Sequence, residues 1–78
     1  MNIDAFIEQF EESIEGLERG TVKPETVFRE LSQWDSLAVL TTLAMVDAEY
    51  EVSLSADELA TPRTIQDLFE LVREKKEQ

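Results

Sequence analysis

The chain has no cysteine and no histidine. Without cysteine there is no disulfide scaffold and no thiol nucleophile, and the redox compartment goes unreported. Without histidine the side chain best matched to proton transfer near neutrality is missing. Positive charge is scarce as well: seven Lys and Arg stand against eighteen Asp and Glu, a formal net charge of −11. A surface of that sign repels nucleic-acid phosphates and anionic lipid, and suits basic faces on other proteins. Its self-repulsion lowers the stability of the compact state, and salt should relieve part of it. Long apolar runs are absent; the longest, Leu37–Leu40 and Leu43–Val46, are far too short to span a bilayer. The opening MNIDAFIEQF lacks the basic and apolar regions of a secretion signal, so a cytoplasmic protein is the expectation.

What remains is the composition of one small globular domain over residues 1–78, with 42% hydrophobic and 32% charged residues. Ile3, Ile7, Phe10, Ile14 and Leu17 recur at helical spacing, with Glu8, Glu11, Glu12, Glu15 and Glu18 forming an acidic remainder. That helix should end near Gly16–Gly20, where both glycines fall. Pro24 marks a loop, after which Val27, Phe28 and Leu31 are spaced to lean on a core as a turn or short helix. A second helix should start at Asp35–Ser36 and run to about Tyr50, with Leu37, Leu40, Leu43, Val46 and Tyr50 as its repeat. Asp35 is a favourable N-cap whose charge suits the positive end of the helix dipole. Ser55 and Glu58 form a capping box for one short turn that stops before Pro62. Thr64 caps a last helix with Ile65, Leu68, Phe69 and Val72 buried, and Arg73, Lys75 and Lys76 at its C-terminal end. Tyr50–Leu54 alternates too briefly to argue for a strand. The fold class is all-α: a small bundle of three main helices and one short one.

The inventory gives little for intrinsic catalysis. Ser36 has no base beside it, and its neighbours are Asp35 and Leu37 rather than glycines of a strained turn. Asp47, Glu49, Glu51, Ser53, Ser55 and Glu58 match the ligand spacing of a calcium loop. Val52 occupies the position where that loop needs glycine, however, and a β-branched residue tolerates positive φ poorly. The match reads as a coincidence of alternation, and no metal site is expected.

A hydroxyl at Ser36 would stand in the first turn of the second helix, where backbone N–H groups lack partners and the dipole is positive. A phosphate on that oxygen would be favourably placed. Taken alone, helix capping is the better explanation of the serine.

The stretch Phe28–Val72 resembles the acyl carrier protein family. The likeness rests on Leu31, the triplet Asp35–Ser36–Leu37, Glu49–Tyr50, Val52 and Leu54, the SADEL turn, and Thr64–Ile65–Gln66–Asp67. It implies the acyl-carrier type of three-to-four-helix bundle. It also implies that Ser36 receives a 4′-phosphopantetheine arm from coenzyme A, installed by a magnesium-dependent phosphopantetheinyl transferase. The arm's thiol would carry acyl or related groups as thioesters, in a monomeric, non-catalytic carrier. Asp35 would assist the transfer, and Leu37 would be an apolar contact beside the attachment point. In the family the second helix is the main recognition surface for loading and processing enzymes. Leu37, Met45, Asp47, Glu49, Glu51 and Asp57 are the candidates here, although Met45 serves equally well as core filler. The middle of that helix is neutral and apolar, which implies docking onto apolar as well as basic surfaces. That favours a dedicated pathway, such as secondary metabolism, lipid modification or glycan assembly, over general fatty acid synthesis. An aminoacyl or aryl carrier of the same fold, and an unmodified acidic adaptor, are the alternatives. Trp34 stands where the family commonly has a small residue nearby; it could shield the arm or cover the core edge of the loop.

Overall fold

Each helix begins where a short polar side chain takes over an unpaired backbone N–H. The computed structural model describes Met1–Gln78 and contains α1 (Ile3–Ser13), α2 (Ser36–Tyr50), α3 (Ala56–Leu59) and α4 (Ile65–Lys76), with one 3₁₀ turn at Phe28–Glu30. Asn2 accepts from Asp4 and Ala5, Asp35 from Ala38, Ser55 from Glu58 and Thr64 from Asp67. The last two are full capping boxes, because Glu58 and Asp67 reach back to the N–H groups of Ser55 and Thr64. The first turn of α4 is tied down further: Ile65 and Gln66 donate to the carbonyls of Thr26 and Pro24, at 3.0 and 2.8 Å. An isolated bridge between Val27 and Thr64 is the sole β-type pairing. The result is the expected all-α bundle, three long helices and one short one.

Two aromatic groups, Phe6 with Tyr50 and Phe69 and Phe10 with Phe28 and Trp34, share one core with aliphatic side chains. Phe6, Phe10, Phe28, Val46, Ile65, Leu68 and Val72 are completely buried. Phe6 packs against Tyr50 and Phe69 at 5.7 and 5.6 Å between ring centroids. On α2 the buried face differs from the expected repeat. Ala38, Thr42, Met45, Val46 and Tyr50 turn inward, while Leu37 and Leu40 are 57% and 63% exposed. The physical reason is that Leu37–Val46 is apolar or neutral on every side, so its pattern leaves the rotational phase of the helix open. The hydroxyl of Thr42 is buried there without a hydrogen-bond partner.

The first helix also departs from expectation. It stops at Ser13, and Ile14 is extended, a turn before the glycines. Gly16 and Gly20 lie in the connection that follows, at φ +87° and +85°, a backbone region costly for other residues. Glu11, read as part of an acidic outer face, is instead only 2% exposed. Its Oε2 accepts from the N–H groups of Gly20 and Val22, both at 3.0 Å. A buried carboxylate that satisfies two backbone donors folds this connection back over α1 and lets Val22 enter the core. Replacing Glu11 by Ala orphans both donors and should cost about 2–4 kcal/mol. Glu12→Ala, on the exposed face, should stay within about 0.5 kcal/mol; chemical denaturation of the two variants checks the contrast.

Side chains from α4 and the 3₁₀ turn clamp the remaining helix ends. Lys75 pairs with Glu58, Lys76 donates to the carbonyl of Tyr50 at 3.0 Å, and Arg29 donates to that of Ala60 at 2.9 Å. The Lys75 ammonium and then the Ser55 N–H hold the Glu58 carboxyl below its ordinary value. The Thr64 N–H does the same for Asp67. With folded-state values depressed, the unfolded chain takes up protons first. The stability these groups contribute is complete above their unfolded values, about pH 4, and is lost as pH falls through the folded ones. Acid titration of stability should therefore fall less steeply below about pH 4 in a Glu58→Gln, Asp67→Asn variant than in the parent chain. Equal slopes would show that the capping carboxylates do not drive the acid transition.

Candidate functional site

The approach to α2 is set by aromatic packing. The half-buried Trp34 indole meets Phe28 edge-on at 5.0 Å and stacks on Phe10 at 6.2 Å, with Phe10 and Phe28 themselves edge-on at 6.1 Å. The backbone N–H of Trp34 donates to the carbonyl of Leu31 at 3.0 Å, continuing the turn that begins at Phe28. Trp34 thus covers the core edge of the loop, and the chain leaves it already at the surface.

Asp35 follows in extended conformation, with φ −146° and ψ −173°. Its Oδ1 accepts from the Ala38 N–H at 2.8 Å, and its carbonyl accepts from Val39 at 3.0 Å. Those two bonds leave the N–H groups of Ser36 and Leu37 without an acceptor in the protein. Ser36 is the first helical residue and is exposed. Its hydroxyl therefore stands in water, above two free N–H donors and the positive end of a fifteen-residue helix. Chemically this is a place to hold an anionic ester and a poor place to make one. No group of the chain hydrogen-bonds the Ser36 hydroxyl, so nothing activates it as a nucleophile.

Beside the serine runs an apolar stripe. Leu37, Leu40, Ala44 and Ala48 are all exposed, at the three- and four-residue spacing of one helix face. Exposed Asp47 and Glu51 close it at the far end. Met45 is not part of it: its side chain is 7% exposed and belongs to the core. Eight residues from Leu37 is about 80° past a whole number of turns, so the two cannot share a narrow face. Leu40 belongs to the expected repeat of α2, and its exposure follows from the phase of the helix. Asp57 is exposed on α3. Glu49, also exposed, accepts from the Gln9 side-chain amide at 2.9 Å, while Gln9 in turn accepts from the Tyr50 hydroxyl. Burial, and then the Glu49 carboxylate, push the Tyr50 phenol above its ordinary value and keep it a donor. Glu51 ends α2 in left-handed conformation at φ +57°.

The calcium-like spacing of Asp47 to Glu58 does not gather into a site. Asp47 and Glu49 stay on α2, Val52 and Leu54 turn into the core, and Glu58 is engaged by Ser55 and Lys75. No group of three or more acidic side chains comes together to hold a metal. No helix is long and apolar enough to cross a membrane.

The family described as "Phosphopantetheine attachment site" matches residues 7–72. The match takes in most of the chain, and the chain belongs to that family: it is a carrier protein bearing a covalent 4′-phosphopantetheine group. No curated protein and no solved structure matches it. The residues present fit such a group, since the matched span contains an exposed serine at an open helix start with two free backbone donors for a phosphodiester.

Asp35→Ala should cost about 1 kcal/mol of stability through loss of the cap. It should also slow attachment of the arm by more than that stability loss explains, measured as initial rate on a chain that is still folded at the assay temperature. A rate equal to that of the parent chain would confine Asp35 to capping.

Proposed function

We propose that Ser36 is the attachment residue and that the chain carries acyl intermediates as thioesters on its arm, serving a dedicated biosynthetic pathway in the cytoplasm. The observation that carries this reading is the exposed, unactivated hydroxyl on the first residue of α2. A transferase must supply the base that removes its proton; Ser36 Oγ then attacks the pantetheine-side phosphorus of coenzyme A, forming a phosphodiester to the phosphopantetheinyl group as the P–O–P bond breaks and adenosine 3′,5′-bisphosphate leaves. Asp35 commits one oxygen to the cap, and its other oxygen would help hold a magnesium ion in the complex with that enzyme. Once attached, the arm supplies the thiol that this chain lacks.

Docking follows from the face next to the serine. Leu37, Leu40 and Ala44 offer apolar contact within the first two and a half turns, and Asp47, Glu49, Glu51 and Asp57 supply negative charge farther along. Asp47 lies about 10 Å along the helix axis from Leu40. A partner enzyme that fits has an apolar shelf near its active-site mouth and basic side chains roughly that far away. The charged end speeds encounter, and the apolar end sets selectivity. The chain acts as a single domain and as a monomer in this role.

Incubation of the purified chain with coenzyme A, magnesium and a broad-specificity transferase tests the reading. The intact mass should rise by one phosphopantetheinyl group in the parent chain and remain unchanged in Ser36→Ala. No gain in a folded parent chain, or an equal gain in the variant, would overturn it.

A further inference from the structure

Two concavities flank the start of α2, on opposite sides, and they differ in size and chemistry. The one toward α3 is small, about 80 Å³, and is walled by Trp34, Val39, Ala56, Leu59 and Ala60 with Arg29 at its edge. The one toward the end of α1 is about 220 Å³ and is lined by Ser13, Ile14, Glu15, Gln33, Asp35, Leu37, Ala38 and Thr41. A dry cavity of about 150 Å³ accepts one benzene. The α3-side space is roughly half of that, and the α1-side groove is clearly more.

Their polar groups differ as well. The α3-side walls are almost wholly apolar and offer nothing to an amide. In the α1-side groove Ser13 Oγ donates to the Phe10 carbonyl at 2.8 Å and Thr41 Oγ1 to that of Ala38 at 3.1 Å. Both hydroxyl oxygens therefore have their protons committed and their lone pairs open. The Gln33 amide nitrogen donates to the Gly16 carbonyl at 3.3 Å, longer than a normal hydrogen bond, and its Oε1 accepts nothing. The groove is thus rich in acceptors between apolar walls formed by Ile14, Leu37 and Ala38. A pantetheine arm has the complementary make-up: two amide N–H groups and a hydroxyl set among methyl and methylene groups. A plain hydrocarbon chain has no donor to offer it.

We infer that the arm on Ser36 lies back in the α1-side groove, with its amide N–H groups directed at Gln33, Thr41 and Ser13, and that cargo on its thiol stays outside the core. This rests on Ser36 being the attachment residue. Leu37 then serves as a wall of the groove on one flank and part of the docking stripe on the other, so a partner seated on α2 displaces the arm as it binds. Trp34, held by Phe10 and Phe28, keeps the α3 side closed.

The test uses the nitrogen-15-labelled chain before and after arm attachment, with intact mass read first. If the mass does not rise, attachment at Ser36 fails and the inference falls with it. If the mass rises, the backbone amides of Glu15 and Thr41 and the side-chain amide of Gln33 should shift more than those of Val39, Ala56, Leu59 and the Trp34 indole. In Gln33→Ala, Thr41→Val carrying the arm, the Glu15 amide should return toward its unmodified position while the mass gain is retained. Shifts concentrated on the α3 side, or limited to Asp35–Leu37, would overturn the groove and leave the carrier reading standing.

Discussion

The stacked and edge-on contacts among Phe10, Phe28 and Trp34 decide where α2 begins, and the rest of the site depends on that. Each aromatic pair contributes about 0.5–1.5 kcal/mol beyond its buried area. Three such pairs converge at the end of the long connection between α1 and α2. They anchor Trp34 at the core edge, so the next residue must leave the core. Asp35 then caps the helix, and Ser36 has no option but to face water. The exposure of the serine is a consequence of packing two residues earlier. The same connection is held at its other end by Glu11, whose buried carboxylate binds the loop backbone in place of a helix or strand ladder.

Charge and apolar surface are divided along the molecule in a way that suits a chain handled by several enzymes. The cations available to neutralise the acidic surface are largely committed within the fold. Arg19 pairs with Glu8, Lys75 with Glu58, Lys76 and Arg29 bind helix-end carbonyls, and Arg73 lies over the Phe69 ring. Asp47, Glu51 and Asp57 are left free to act on partners, while the turns nearest Ser36 carry no charge beyond Asp35 itself. Long-range attraction and close-range fit are therefore separated by two turns of helix. A chain that must approach several enzymes and still deliver one reactive group benefits from that separation.

Local signals were legible in the sequence wherever one side chain satisfies one backbone group. Asp35, Ser55 with Glu58, and Thr64 announced their helix starts, and α2 and α4 begin where those residues place them. The stripe Ile65, Leu68, Phe69, Val72 also lies buried as read, because polar residues surround it and fix its phase. Legibility failed where the answer depends on distant residues. The α2 segment is apolar all round, so only packing against α1 and α4 could choose Ala38 and Met45 over Leu37 and Leu40. Glu11 looked like one more acidic surface residue, since nothing local reveals that Gly20 and Val22 will present their N–H groups to it. The groove beside Ser36 was equally invisible, because Ser13, Gln33 and Thr41 come from three separate segments.

The most direct test is to isolate the chain from its own cells without reductant or base, and to fragment it by mass spectrometry. The account predicts phosphopantetheine on the residue between Asp35 and Leu37, and on none of the other four serines. It also predicts that part of the population bears an acyl group that neutral hydroxylamine releases. A chain recovered without the arm, or with it at another position, would contradict the account.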